Sequence, residues 1–136
     1  MEAINKIPAI FEEFEKLKTE FIHFIDRGEV NNQETIKHYR TKWINLRSRT
    51  SKIKGELTKF KISRDDKACT AKKARLFRAL VDSGLPVTKA REQAPAEEEY
   101  KEFLEERVLY MEAYSNILSI REDMQNFIND CAGRIN

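Results

Sequence analysis

Two histidines, two cysteines and several acidic pairs are the groups in this 136-residue sequence best suited to metal binding or to nucleophilic and acid–base chemistry. Their spacing does not bring them together. His23 lies between Ile22 and Phe24 in an aromatic stretch, and His38 lies in a basic one, so each reads as a side chain on a helix surface or seam edge. Cys69 and Cys131 are far apart and belong to no CxxC, which leaves no zinc set. Each reads as a small buried or semi-buried side chain. Glu105-Glu106 and Asp65-Asp66 have no convergent histidine and read as solvated faces. Gly28, Gly55, Gly84 and Gly133 are too dispersed to cradle a phosphate, and neither GxxxxGK nor GxGxxG occurs. The expectation is a protein that is not an enzyme, with no catalytic residues, no metal and no cofactor.

Charge carries more information. The net charge is only +2, from 25 Lys and Arg against 23 Asp and Glu, but the distribution is uneven. Residues 1–36 hold 4 basic and 8 acidic side chains, residues 37–94 hold 17 and 5, and residues 95–136 hold 4 and 10. A segment of net charge +12 therefore lies between segments of −4 and −6. Partners feel local fields, screened over about 8 to 10 Å at physiological salt, more than the total. From Lys37 to Arg64 ten basic residues face a single acid, Glu56, so ordinary i,i+4 pairing cannot neutralise them. Acidic segments of the same or a neighbouring chain, a nucleic-acid backbone or an anionic membrane could do so.

The elements that position these charges are helical. Gly and Pro are scarce, at 4 and 3, and charged residues make up 35%. Ile10, Phe11, Phe14, Leu17, Phe21, Phe24 and Ile25 recur at helical spacing between Pro8 and Asp26. Pro8 suits a first turn and Gly28 a position just past the end. Asn31-Asn32 offers an N-cap for a second helix from Gln33. Along it Ile36, Tyr39, Trp43, Leu46, Thr50, Ile53, Leu57 and Phe60 alternate steps of three and four, a packing seam of coiled-coil type. Ile62 to Asp66 reads as a break. A third helix over 67–82 ends at Ser83-Gly84-Leu85-Pro86, and a short helical piece over 88–93 precedes Pro95.

A last helix over 96–129 would be about 50 Å long at 1.5 Å per residue, with Glu97, Glu98 and Glu99 at its positive end. Its stripe of Phe103, Tyr110, Ile117, Met124 and Cys131, with Leu104, Met111 and Leu118 beside it, is broad enough for more than one neighbour. The fold class expected is all-α: an elongated helical hairpin or bundle with a long C-terminal helix, oligomerising through coiled-coil-like packing. One helical domain, 1–136, would comprise a Phe-rich first helix (1–30), basic helices (33–94) and an oligomerisation helix (95–136). No apolar run approaches the roughly 18 residues of a membrane span, and the N-terminus lacks the features of a signal peptide. The expected location is cytoplasmic.

The third helix adds Lys67, Lys72, Lys73, Arg75 and Arg78, with Phe77 among them placed either to stack on a base or to pack inward. A cationic track with interleaved stacking residues suits single-stranded nucleic acid. Duplex reading by a helix-turn-helix needs a compact trihelical unit with a tight turn, which the spacing does not provide. The regular seam of helix 2 assigns its apolar face to a protein core rather than to a membrane. A helical structural or adaptor protein, its basic helix paired with acidic helices, fits the same charge pattern.

Three segments in order, Tyr39-Arg40-Thr41-Lys42-Trp43-Ile44-Asn45 with Ile53-Lys54-Gly55-Glu56-Leu57, then Lys73-Ala74-Arg75-Leu76 with Ser83-Gly84, then Asp123-Met124 with Phe127, resemble the UvsY-like recombination mediators of T-even-type bacteriophages. The resemblance spans roughly residues 36–130 and leaves out the Phe-rich first helix. It implies a non-enzymatic, ring-forming homo-oligomer in the host cytoplasm. Such a protein binds single-stranded DNA, the phage single-strand-binding protein and a RecA-like recombinase, and helps load the recombinase. Lys73 and Arg75 match the family's DNA-contacting basic pair. Electrostatics adds Lys72, Arg78, Lys67, Lys54, Lys59, Lys61 and Arg64 as DNA-binding candidates. Phe103, Tyr110, Met111, Ile117, Leu118 and Met124 are the expected oligomerisation residues.

Overall fold

The computed structural model describes residues 2–28 and 32–135. They form helices α1 (Glu2–Asp26), α2 (Gln33–Ser63), α3 (Asp66–Asp82), α4 (Val87–Gln93) and α5 (Glu98–Arg134), with a 3-10 turn, Ala94–Ala96, before α5. The protein is all-α with a long C-terminal helix, and the described residues contain no strand. No helix among them is long and apolar enough to cross a membrane.

Local chemistry explains most boundaries. Gly28, at φ +73°, follows α1 in the left-handed conformation that costs glycine least. Asn32 Oδ1 accepts the Thr35 N–H at 3.1 Å and caps α2; Asn31, the other half of the expected cap, lies outside the described residues. Asp65 breaks α2 from α3 by accepting the Ala68 N–H at 2.8 Å. At the far end of α3 the Gly84 N–H reaches Val81 O and the Leu85 N–H reaches Leu80 O, the two bonds of a Schellman motif, with Gly84 at φ +102°. The Glu97 carbonyl accepts from Tyr100 and Lys101 to start α5.

Two boundaries differ from the sequence reading. Pro8 sits inside α1 rather than in its first turn, because Ala3 and Ile7 extend the buried face one more turn towards the N-terminus. Pro8 itself is on the exposed side, so its ring meets solvent and the helix forgoes one backbone bond. The last helix starts two residues later than expected and continues to Arg134, since Ile128 and Cys131 are both buried and carry the stripe further.

The chain packs as two compact units. The first contains the residues up to Leu57 and those from Ala113 onward. In it α1 runs antiparallel to α2, with Phe21 against Tyr39 and Phe14 against Trp43. The C-terminal part of α5 is also antiparallel to α2: Gln33 Nε2 donates to Arg134 O, Trp43 meets Phe127, and Arg47 meets Arg121. Trp43 is fully buried at the centre. Its ring stacks on Phe127, with centroids 4.6 Å apart and planes 14° from parallel, and takes the edges of Phe14 and Phe21 at 5.7 and 6.1 Å. Of the expected α2 seam, Ile36, Leu46, Thr50, Ile53 and Leu57 are buried here with Trp43.

Cys131 is buried in this unit, and burial pushes its thiol up to about 11. Thiolate is the reactive form, so at pH 8 a thiol of that pKa is ionised roughly 100-fold less than one of pKa 9. Alkylation of Cys131 by iodoacetamide, followed by peptide mass spectrometry, is expected to lag an unhindered thiol by at least that factor. Its pH–rate midpoint should lie near 11. A midpoint at or below 9 refutes the assignment.

The second unit, Thr58–Glu112, has a thinner core. Cys69, Ala90, Ala94 and Tyr110 are its buried side chains, and Phe60, Leu76, Phe77, Leu80, Val81, Phe103 and Leu104 are half-buried. Phe60 stacks on Tyr110 at 4.8 Å. Both cysteines are buried free thiols, and His23 and His38 are exposed on helix surfaces.

Candidate nucleic-acid interface

The second unit holds eight of the nine DNA-binding candidates, and Lys54 belongs to the first. Their surroundings differ. The Arg64 guanidinium lies 5.0 Å from the Phe103 ring centre and 5.3 Å from that of Tyr110, and it pairs with Glu106. Lys72 pairs with Glu99 and keeps only 19% of its side chain exposed. Both cations are therefore spent within the fold, one bridging the α2 end to α5 and the other bridging α3 to α5. A reverse pair, Arg107 of α5 with Asp66 of α3, closes at 2.8 Å, and Arg107 also donates to Cys69 Sγ at 3.2 Å. The Asp66 and Cys69 hydrogen bonds raise the Arg107 pKa further, so it stays charged.

Lys59 is exposed on α2, and Lys54 and Lys61 each have a contact of their own within the chain. Lys67, Lys73, Arg75 and Arg78 are exposed on α3 and make no ion pair among the described residues. These four do not form one patch. At 100° per residue, Lys73 and Arg75 point about 160° apart, whereas Lys67, Arg75 and Arg78 fall within roughly 80° of each other. The basic pair Lys73 and Arg75, two positions apart in the sequence, is thus divided between two sides of α3.

Lys73 faces a cleft of about 290 Å³ lined by Thr70, Lys73, Ala74 and Phe77 of α3, Arg91 of α4, and Ala94 and Pro95 of the 3-10 turn. Arg91 is exposed and unpaired among the described residues, and Phe77 is half-buried. Phe77 therefore takes an intermediate place between packing and display: the α4 segment covers part of it, and part lines the cleft. A wall with two cations, a hydroxyl and an apolar ring can take up an anion and stack a planar group together. Composition counted Arg91 in the basic segment, but nothing in the linear order pointed to it as a neighbour of Lys73. The α3–α4 turn at Gly84 brings them together.

On α5, Tyr110, Ile117 and Met124 are buried in the chain's own packing, and Phe103 is half-buried beneath Arg64. Met111 and Leu118 are the expected oligomerisation residues that remain exposed, at 44% and 39%, and Val108 and Leu109 are exposed too. No cluster of His, Cys, Asp or Glu among the described residues could hold a metal ion. No protein family, characterised protein or solved structure matches this chain.

Proposed function

We propose that this chain binds single-stranded DNA and acts as a recombination mediator of the UvsY type, without catalysis of its own. The supporting observation is the α3 surface. Within a segment of net charge +12, Lys67, Lys73, Arg75 and Arg78 make no ion pair among the described residues, and Lys73 shares a cleft with Arg91 and the Phe77 ring. Phosphates would lie against Lys73 and Arg91 and a base would stack on Phe77, an arrangement tolerant of sequence, while Lys67, Arg75 and Arg78 offer a second cationic face of α3. In the mediator reading the protein holds a strand, contacts the single-strand-binding protein and a RecA-like recombinase, and favours their exchange, in the host cytoplasm during phage infection. Copies assembled through exposed α5 residues such as Met111 and Leu118 would multiply weak contacts along one strand.

The adaptor reading draws on a specific observation as well: Arg64–Glu106 and Lys72–Glu99 pair cations of the basic segment with acids of α5 inside one chain, and Arg107–Asp66 adds a pair of the opposite sense between α5 and α3. Fluorescence anisotropy with a labelled oligo(dT) over a sodium chloride series separates the two. Binding whose log affinity falls linearly with log salt is expected. Lys73→Ala and Arg75→Ala should each lower the slope by about 0.7 if each contacts one phosphate. An adaptor keeps its oligomeric state and ignores the oligonucleotide at every salt concentration.

A further inference from the structure

In the first unit, two arginines face each other across α2 and α5 without a carboxylate between them. Arg47 Nε donates to Arg121 O at 3.2 Å, and Arg121 Nη1 donates to Arg47 O at 3.1 Å. Arg121 Nη1 also reaches Thr50 Oγ1 at 2.7 Å and Ser51 Oγ at 3.0 Å. Both side chains are half-buried, and each is held in place by the other helix's backbone. Burial and then the Arg47 charge lower the Arg121 pKa, consistent with two like charges left uncompensated.

These bonds occupy only part of each guanidinium. Arg47 Nη1 and Nη2 and Arg121 Nε and Nη2 have no partner among the described residues. Arg47 opens onto a cleft of about 290 Å³ whose other polar lining is Ser48, Ser51 and Gln125, all uncharged, with Ile44 and Ile128 as its apolar wall; Arg121 is not itself in the lining and joins it through its bond to Ser51 Oγ. Half-buried like charges cost free energy unless something neutralises them, and most arginines so placed have a carboxylate. Here the geometry supplies fixed forks and neutral donors, and no acid is among the described residues that line the cleft.

We infer that Arg47, with Ser48, Ser51 and Gln125 around it and Arg121 joined to it through Ser51 and the reciprocal backbone bonds, forms a binding site for a phosphate group. Guanidinium forks match phosphate oxygens bidentately, and hydroxyl and amide donors complete the shell. The reciprocal backbone bonds hold both arginines before the anion arrives, so little side-chain entropy is lost on binding. The site rests on the single-strand reading only for the source of the phosphate, a nucleic-acid backbone, and free phosphate is the other source.

Arginine Nε–Hε resonances of the full-length ¹⁵N-labelled chain test it directly, titrated with inorganic phosphate and with sodium chloride at matched ionic strength and pH. Phosphate should shift the Arg47 and Arg121 signals saturably and raise the melting temperature beyond the chloride control. In Arg47→Gln the Arg121 signal should no longer respond. Signals that ignore phosphate, or follow ionic strength alone, overturn the site, and this titration stands even if the variant does not fold. A parallel titration with (dT)₁₂ identifies the source. Shifts of the same two signals at lower concentration than inorganic phosphate assign a strand backbone. Shifts with phosphate but not with (dT)₁₂ overturn that source and leave a free-phosphate site, while anisotropy decides separately whether the chain binds DNA at all.

Discussion

Trp43→Ala is expected to lower the unfolding free energy by about 3–5 kcal/mol, the largest loss of any single substitution in the first unit. The indole is fully buried, stacked on Phe127 and edged by Phe14 and Phe21, so truncation removes contacts from α2 to both other helices of this unit at once. A chain of this size has on the order of 5–15 kcal/mol in total, so the loss is a large fraction of its stability. The indole Nε1 is buried without a hydrogen-bond partner. Trp43→Phe should therefore cost less than half as much, because it keeps a stacking ring, loses no hydrogen bond and removes an unpaired donor. Urea titrations followed by far-ultraviolet circular dichroism measure both. Equal losses in the two variants would refute the prediction, because a phenyl ring at this position would then recover none of the packing against Phe127, Phe14 and Phe21.

The second large effect is expected in the α3–α4 cleft. Phe77→Ala should weaken single-strand binding by about 5- to 150-fold, the equivalent of one lost base stack of about 1–3 kcal/mol, with the salt slope unchanged. Lys73→Ala or Arg91→Ala should instead lower the slope, because each removes a phosphate contact rather than a stacking surface. Phe77 is half-buried, so its truncation also loosens the thin core of this unit. Phe77→Leu guards against that: it retains apolar volume and removes the π face, and it should bind as weakly as the alanine variant while melting close to the parent. Anisotropy and thermal melting on the same samples decide the matter. Unchanged affinity in Phe77→Leu would remove the ring from the interface.

Helix positions were readable in the order of residues because their signals are local. Asn32 and Asp65 cap with their own side chains, Gly28 and Gly84 supply the left-handed residues, and Ile36, Trp43, Leu46, Thr50, Ile53 and Leu57 repeat at the spacing of one helix face. Pro8 is a weak marker of a helix start, since an interior position on the exposed face also accepts it; burial of Ala3 and Ile7, seven and three residues before Ile10, outweighs one forgone backbone bond. The candidate interface was less legible. Charge counting treats all lysines and arginines alike, whereas packing withdraws Arg64 and Lys72 into pairs with α5 and leaves Lys67, Arg75 and Arg78 outside.

By itself, then, the order of residues determined an all-α chain with a basic middle between acidic ends, since helix periodicity, caps and charge are properties of neighbours in sequence. Only the tertiary structure decided which charges remain for a partner. Lys73 and Arg75, two positions apart, point to different sides of α3; Lys73 and Arg91 line one cleft; Arg47 and Arg121 meet from two helices. The reason is physical. A helix turns 100° per residue, which separates adjacent side chains, and antiparallel packing brings together residues whose separation in sequence carries no signal of the encounter.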